Sequence, residues 1–310
     1  MEPTKSDNGD VLHEFFPFFK VYKDGRVERM MPMEKLKVPP SEDAEVRSKD
    51  VTISTEPAVL ARVFAPRGTG PAERLPVLIY IHGGGFSIGS AFHRVYHEYV
   101  SLLVARARVV AVSVEYRLAP ENPIPACYDD AWAATRWALG HADGNGPDPW
   151  LNEHGDFGRV YITGDSAGAN ICHNVAVRAG WAGLPAGVRI AGMALVHPYF
   201  GGTDDDKMWL YMCPENGGLA DPRLKPPPED LARVGCEKVL VFVAQKDHLR
   251  GRGLWYLEEL KRSGWGGSVE VVEHEGESHV FHILKPQCDK ALDLKDKLVD
   301  FLRGNVVGKA

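Results

Sequence analysis

Residues 164–168 read Gly-Asp-Ser-Ala-Gly, directly behind the apolar run RVYIT. A serine hydroxyl is a weak nucleophile. To attack carbon it needs a neighbouring base, and the base needs a carboxylate to hold its tautomer. Gly-x-Ser-x-Gly serves such chemistry when a strand precedes it and a helix follows, because the sharp, strained turn between them exposes the hydroxyl. In a chain with 32 glycines the pattern alone is a weak signal. The setting strengthens it: RVYIT reads as a strand ending at Thr163, and AGANICHNVAVRA as a helix beginning near Ala167. Further along, Asp247 follows the strand VLVFVA, and His279 stands in the loop HEGESH behind the strand SVEVVE. Serine, acid and histidine, each beyond a strand end and in this order, form a nucleophile, an orienting carboxylate and a general base for acyl transfer.

Competing residues are weaker candidates. Asp165 adjoins the nucleophile and is expected to point elsewhere, and Asp129 and Asp130 fall on a helix and read as structural. His248 adjoins Asp247 too closely to face it, His274 precedes the loop, and His282 lies one turn past His279, where packing is the simpler role.

Attack on an ester carbonyl creates an oxyanion, and losing one preorganised N–H donor to it costs roughly 3 kcal/mol of transition-state stabilisation. One donor is the amide of Ala167, next to the nucleophile. The others are expected from His82-Gly83-Gly84-Gly85, which closes the apolar run LPVLIYI. Gly84 and Gly85 are the favoured donors, Gly83 allows the bend, and His82 orients the loop through hydrogen bonds. The run lacks the Gly-Lys-Ser/Thr of a phosphate loop and does not match a dinucleotide fingerprint.

These residues need a scaffold that gathers strand ends. SKDVTIST and AVLARVFA alternate as neighbouring strands, whereas LPVLIYIH and ARVVAVSV are continuous apolar runs, as in strands covered on both faces, and RIAGMALVH and EKVLVFVA read as further strands. Helical patterns fall at 93–105, from Pro125, at 167–179, at 253–263 and at 287–303. This alternation predicts one mostly parallel sheet flanked by helices, with ligands beyond the carboxyl ends of its strands. A single domain spanning 1–310 is expected. Residues 201–232, rich in Pro, Gly and Asp, read as a cap-like excursion over the sheet. Residues 1–45 read as an N-terminal arm with a polar, mobile start, and the aromatic stretch LHEFFPFFKVY in it suits either packing on the core or a flap over a pocket.

Composition bounds the partners. The net charge is −6, and Lys and Arg are scattered, which argues against nucleic acid. Five cysteines without a Cys-x-x-Cys pair argue against a zinc or redox motif, and with no leader-like apolar stretch at the start they suggest a reducing, cytoplasmic setting. No run approaches the ~20 apolar residues of a membrane span. Neither a metal nor an organic cofactor is expected, and the oligomeric state is not encoded legibly.

FKVYKDGRVER, HGGGFSIGS, VEYRLAPENPIPACYDD, GDSAGANICHN, KDHLRGRG and GESHVFHI together resemble the plant carboxylesterase family, in the hormone-sensitive-lipase-like branch of the α/β-hydrolase fold, from about residue 14 to the end. The resemblance implies a Ser166–His279–Asp247 triad, an oxyanion hole of the Gly84, Gly85 and Ala167 amides, and an N-terminal lid. It implies a loop-tying role for Arg117 and Glu121, and a small-molecule ester of plant metabolism as substrate. Related chains suggest two alternatives: a lyase, dehydratase or cyclase working in the same pocket, or a gibberellin-receptor-like binding protein. Against the receptor, the likeness implies loss of the catalytic histidine, and this chain keeps His279. Two departures stand out. The segment between Tyr199 and CPENGG is shorter than the likeness implies, and Gln245 stands where a glutamate is expected.

Overall fold

The computed structural model describes residues 10–204 and 206–305. The polar start predicted to be mobile therefore lies, except for Asp10, outside the described residues. The arm forms a small antiparallel sheet of β1 (Val11–Phe15), β2 (Phe19–Tyr22) and β3 (Val27–Arg29), with the predicted Lys-Asp-Gly turn between β2 and β3. Its aromatic content hides an alternation too short to read as strands.

The main sheet has eight strands: β4 (Val46–Thr55), β5 (Ala58–Pro66), β6 (Leu75–Ile81), β7 (Val110–Glu115), β8 (Gly155–Asp165), β9 (Ile190–Val196), β10 (Lys238–Ala244) and β11 (Ser268–His274). They lie in the order β11-β10-β9-β8-β6-β7-β5-β4, and only β5 runs against the rest. The connecting helices are α1 (Arg94–Ala107), α2 (Ala126–Leu139), α3 (Pro149–His154), α4 (Ala167–Ala182), α5 (Lys207–Met212), α6 (Pro228–Leu231), α7 (Arg250–Arg262), α8 (Phe281–Leu284) and α9 (Asp289–Leu302). The apolar runs are continuous because both faces are covered. Val77, Ile79 and Ile81 meet the layer containing α2, α4 and α7, while Leu78 and Tyr80 meet the layer containing α1 and α9.

Two boundaries next to the candidate site differ from the sequence reading. β8 continues past Thr163 to Asp165, since Gly164 and Asp165 still pair with Leu195 and Val196. The seventh helix begins at Arg250 rather than Gly253: the Asp247 carboxylate accepts the Leu249 N–H at 2.8 Å, closing a turn that starts the helix despite its two glycines.

The sheet order positions the site. From β6 the chain moves to β7 on one side and then returns to β8 on the other, so the carboxyl ends of β6 and β8 flank a crevice where the winding reverses. His82-Gly83-Gly84-Gly85 leaves β6 there, and Ser166 leaves β8 there. The close approach needs glycine. A Cβ on Gly168 would stand 2.1 Å from the Ile81 carbonyl oxygen, so no larger residue lets α4 sit so near β6.

Candidate active site

Ser166 occupies a strained backbone position, φ 53 and ψ −117, between β8 and α4. Its amide donates to the Val196 carbonyl at 2.8 Å, and its carbonyl accepts from Tyr199 at 3.0 Å, so the turn is clamped from β9. Although it is the residue that caps α4, its hydroxyl makes no capping bond. That hydroxyl instead donates to His279 Nε2 at 2.9 Å, and His279 Nδ1 donates to Asp247 Oδ2 at 2.8 Å. Asp247 Oδ1 takes the Leu249 amide. Burial pushes the Asp247 carboxyl up, but the His279 hydrogen bond, the charge of that ring and the Leu249 amide outweigh it and hold the group below its ordinary range. The three side chains thus form one unbroken line, with Asp247 buried at 6 % exposure and the imidazole edge open to a cavity.

His248 differs from expectation. Its Nδ1 comes 3.5 Å from Asp247 Oδ1, and its ring lies 5.2 Å from that of His279. His274 is buried at the end of β11 and bonds Asp293 at 2.9 Å, and His282 is enclosed in α8, so neither reaches Ser166. Gln245 gives its side-chain oxygen to the Gly276 amide at 2.9 Å; that contact requires an acceptor and no charge.

The glycine loop explains its own composition. Gly84 holds φ +111, and a Cβ there would collide with the Ile88 carbonyl oxygen at 2.1 Å. That carbonyl stands so close because the chain turns sharply, Ser87 and Ile88 both donating to the Gly84 oxygen. Among the described residues, the amides of Gly84 and Gly85 have no protein acceptor, and Ala167 opens α4, where the first N–H groups lack helical partners. The 16-residue α4 adds the positive end of its dipole at the same point.

Gly83, grouped with these donors in the sequence reading, is not one of them. Its N–H faces the Tyr96 hydroxyl at 3.1 Å and Asp165 Oδ1 at 3.2 Å, so it cannot also serve a ligand. Asp165 does turn away from the serine, toward this loop, and also accepts from the Tyr80 and Tyr96 hydroxyls at 2.8 and 3.1 Å. Burial raises its pKa, and the three donors oppose that rise. His82 holds the loop as expected: its Nδ1 donates to the Gly83 carbonyl at 2.7 Å and its ring stacks on Tyr116 at 4.2 Å. Burial lowers its pKa to about 3, so it stays neutral.

The supporting loops are tied as the resemblance implies. Arg117 grips Asp130, and Arg29 of β3 donates two bonds to Glu121 at 2.6 and 2.7 Å and a third to the Ser87 carbonyl. Behind the glycine loop, Glu115 accepts from Ser90 Oγ and the Ala91 amide. Burial raises its pKa from 4.5 to about 7 against those bonds. A raised folded value stabilises the protein below the unfolded value, and that contribution is lost as pH rises through the folded one. The wild type is therefore expected to lose up to roughly 3 kcal/mol of stability relative to Glu115→Gln between pH 4.5 and 8, read as converging or crossing Tm curves. A gap independent of pH would refute the assignment.

A cavity of about 570 Å³ opens above Ser166, a size typical of small-molecule sites. The aromatic arm divides between the core and this cavity. Phe19 is fully buried in the core, while Phe15, Phe16 and Phe18 line the cavity, Phe16 being 81 % exposed at its rim. The excursion meets the arm there. Tyr211 of α5 packs on Phe15 at 5.1 Å, and a Cβ on Gly85 would touch both Phe18 and Met208. Arg252 of α7 pins the excursion by donating to Asp206 at 2.6 Å.

Among the described residues, one group could offer ligand atoms to a metal: His197, Asp247 and His279, within 4.8 Å of one another. The Asp247–His279 hydrogen bond already occupies two of them, so these atoms are taken up in the hydrogen-bonded line that ends at Ser166. His197, Tyr199, Met208 and Arg252 were not singled out in the sequence. His197 could have been, since it closes β9 between the strands bearing Ser166 and Asp247. No helix among the described residues is long and apolar enough to cross a membrane.

Comparison with known proteins gives a consistent result. A profile described as alpha/beta hydrolase fold matches residues 78–283, and one described as carboxylesterase family matches residues 29–120. The chain is 43% identical to a 2-hydroxyisoflavanone dehydratase of Glycyrrhiza echinata, covering 94% of this chain and 96% of that one. It is 42% identical to probable carboxylesterase 5 of Arabidopsis thaliana, covering 95% and 99%. Among solved structures it resembles a hyperthermophilic esterase from Pyrobaculum calidifontis, with a TM-score of 0.69, 27% identity, and coverage of 84% and 87%.

Proposed function

The chain belongs to the alpha/beta hydrolase fold family, and from that membership we infer that it is a serine carboxylesterase in which Ser166, His279 and Asp247 carry the reaction. The observation behind the residue roles is the hydrogen-bonded line from Asp247 through His279 to Ser166, ending at a cavity beside three available amides.

Ser166 Oγ attacks the ester carbonyl carbon while its proton passes to His279 Nε2. Asp247 keeps the Nδ1 proton in place and balances the imidazolium. The carbonyl oxygen becomes an anion facing the Gly84, Gly85 and Ala167 amides at the start of α4. The tetrahedral species collapses, the alcohol leaves with the proton from His279, and water repeats the steps to release the acid. These groups supply nucleophile, base, acid and oxyanion donors, so the reaction calls for no cofactor.

The arm, within 1–45, and the excursion at 201–232 act as the lid of a single domain. The substrate is a small ester of plant metabolism, and its apolar part rests on Phe15, Phe18 and Met208. The location is a reducing one, the cytoplasm, in keeping with five unpaired cysteines.

A second reading is favoured by the Glycyrrhiza relative, whose printed name is a dehydratase. A Ser–His pair can move protons without forming an acyl bond, so elimination or cyclisation of a metabolite would use the same cavity. The test is turnover of short p-nitrophenyl esters together with mass spectrometry after diethyl p-nitrophenyl phosphate treatment. Hydrolysis and a single phosphoryl adduct on Ser166 are expected. No ester turnover, with conversion of a metabolite that gains no water at an acyl group, would replace hydrolase by lyase.

A further inference from the structure

We propose that His197 is a positioning residue for His279, its ring fixing the turn that presents the catalytic imidazole. This rests on the reading of His279 as the base. His197 lies at the carboxyl end of β9, 1 % exposed, with its own amide donating to the Phe242 carbonyl at 2.9 Å. Its Nδ1 accepts the Val280 N–H at 3.2 Å.

Val280 immediately follows His279 and starts α8 in a left-handed conformation, φ 46 and ψ 32. A β-branched residue resists that region, so the turn needs an outside hold. The loop is held at one end by Lys246 donating to the Glu277 carbonyl and Gly276 donating to Gln245, and at the other by His197. Between these points His279 is fixed by its side-chain bonds to Asp247 and Ser166.

The ring of His197 is suited to the task. Phe281 and His282 pack beside it, each with ring centroids at 5.4 Å. Burial drives its pKa well below the ordinary value and keeps the ring neutral, and the Val280 N–H facing Nδ1 makes that nitrogen the acceptor. Its Nε2 finds no partner among the described residues, which leaves the Val280 amide as the polar contact the ring serves.

Two substitutions separate positioning from packing. His197→Phe fills the same space and deletes the acceptor. His197 itself holds a left-handed backbone, φ 48, which Asn adopts more readily than Phe; His197→Asn keeps an acceptor near the Nδ1 position and that conformation, but loses bulk. Positioning predicts that Phe lowers kcat for p-nitrophenyl acetate, and the rate of labelling by diethyl p-nitrophenyl phosphate, by about 10- to 100-fold with KM within about twofold. Asn recovers most of kcat even though its Tm is lower. A phenylalanine variant as active as wild type, or an asparagine variant as impaired as the phenylalanine one, overturns the proposal. Ser166→Ala is measured alongside. If it stays active, the triad reading itself fails; if it is inactive while His197→Phe is fully active, only the positioning role is lost.

Discussion

Ser166→Ala is expected to lower kcat for ester hydrolysis by about 10⁵- to 10⁶-fold, the size of effect seen when a nucleophile is removed from such a unit. Among the described residues the Oγ bonds His279, and the turn around it is held by backbone bonds to Val196 and Tyr199. The variant should therefore fold with nearly unchanged Tm and bind substrate with similar KM. On the proposed mechanism, the residual rate reports what the amides of Gly84, Gly85 and Ala167 achieve with water alone. Adding His279→Ala to it should cost little more, because the two residues act as one device. Steady-state kinetics on p-nitrophenyl acetate decide the matter: a variant keeping even a hundredth of wild-type kcat would exclude Ser166 as the nucleophile.

Asp247→Asn should cost about 10⁴-fold in kcat, through a wrong tautomer rather than a wrong shape. The Leu249 amide can only donate, so it claims the carbonyl oxygen of the new amide. The NH₂ group then faces His279 Nδ1, which must become an acceptor. The ring proton moves to Nε2, opposite Ser166, where it blocks removal of the hydroxyl proton. Asp247→Asn should keep its hydrogen bonds, its fold and its KM. A loss of only two- or threefold would mean that the carboxylate does not set the tautomer, and that His279 is oriented mainly by the loop that follows it.

Much of this protein is legible in the chain because its strongest signals are local. Continuous apolar runs such as LPVLIYI mark strands covered on both faces, and a strand's end fixes where a following residue stands. Ser166, Asp247 and His279 therefore emerge together, as do Gly84 and Gly85, whose missing side chains announce a crowded turn. What only the tertiary structure decided is the meeting of surfaces far apart in sequence. Phe18 and Met208 close over Gly85 from an arm and an excursion that carry no shared pattern. The Gly83 amide was lost as a donor to Asp165 and Tyr96, and His248 bent back toward Asp247, through bonds that no periodicity encodes. The same holds for His197, whose partner Val280 lies on another element. Periodicity reports which face a residue lies on; which atom it meets across that face depends on how distant segments pack, and that is settled only when the chain closes on itself.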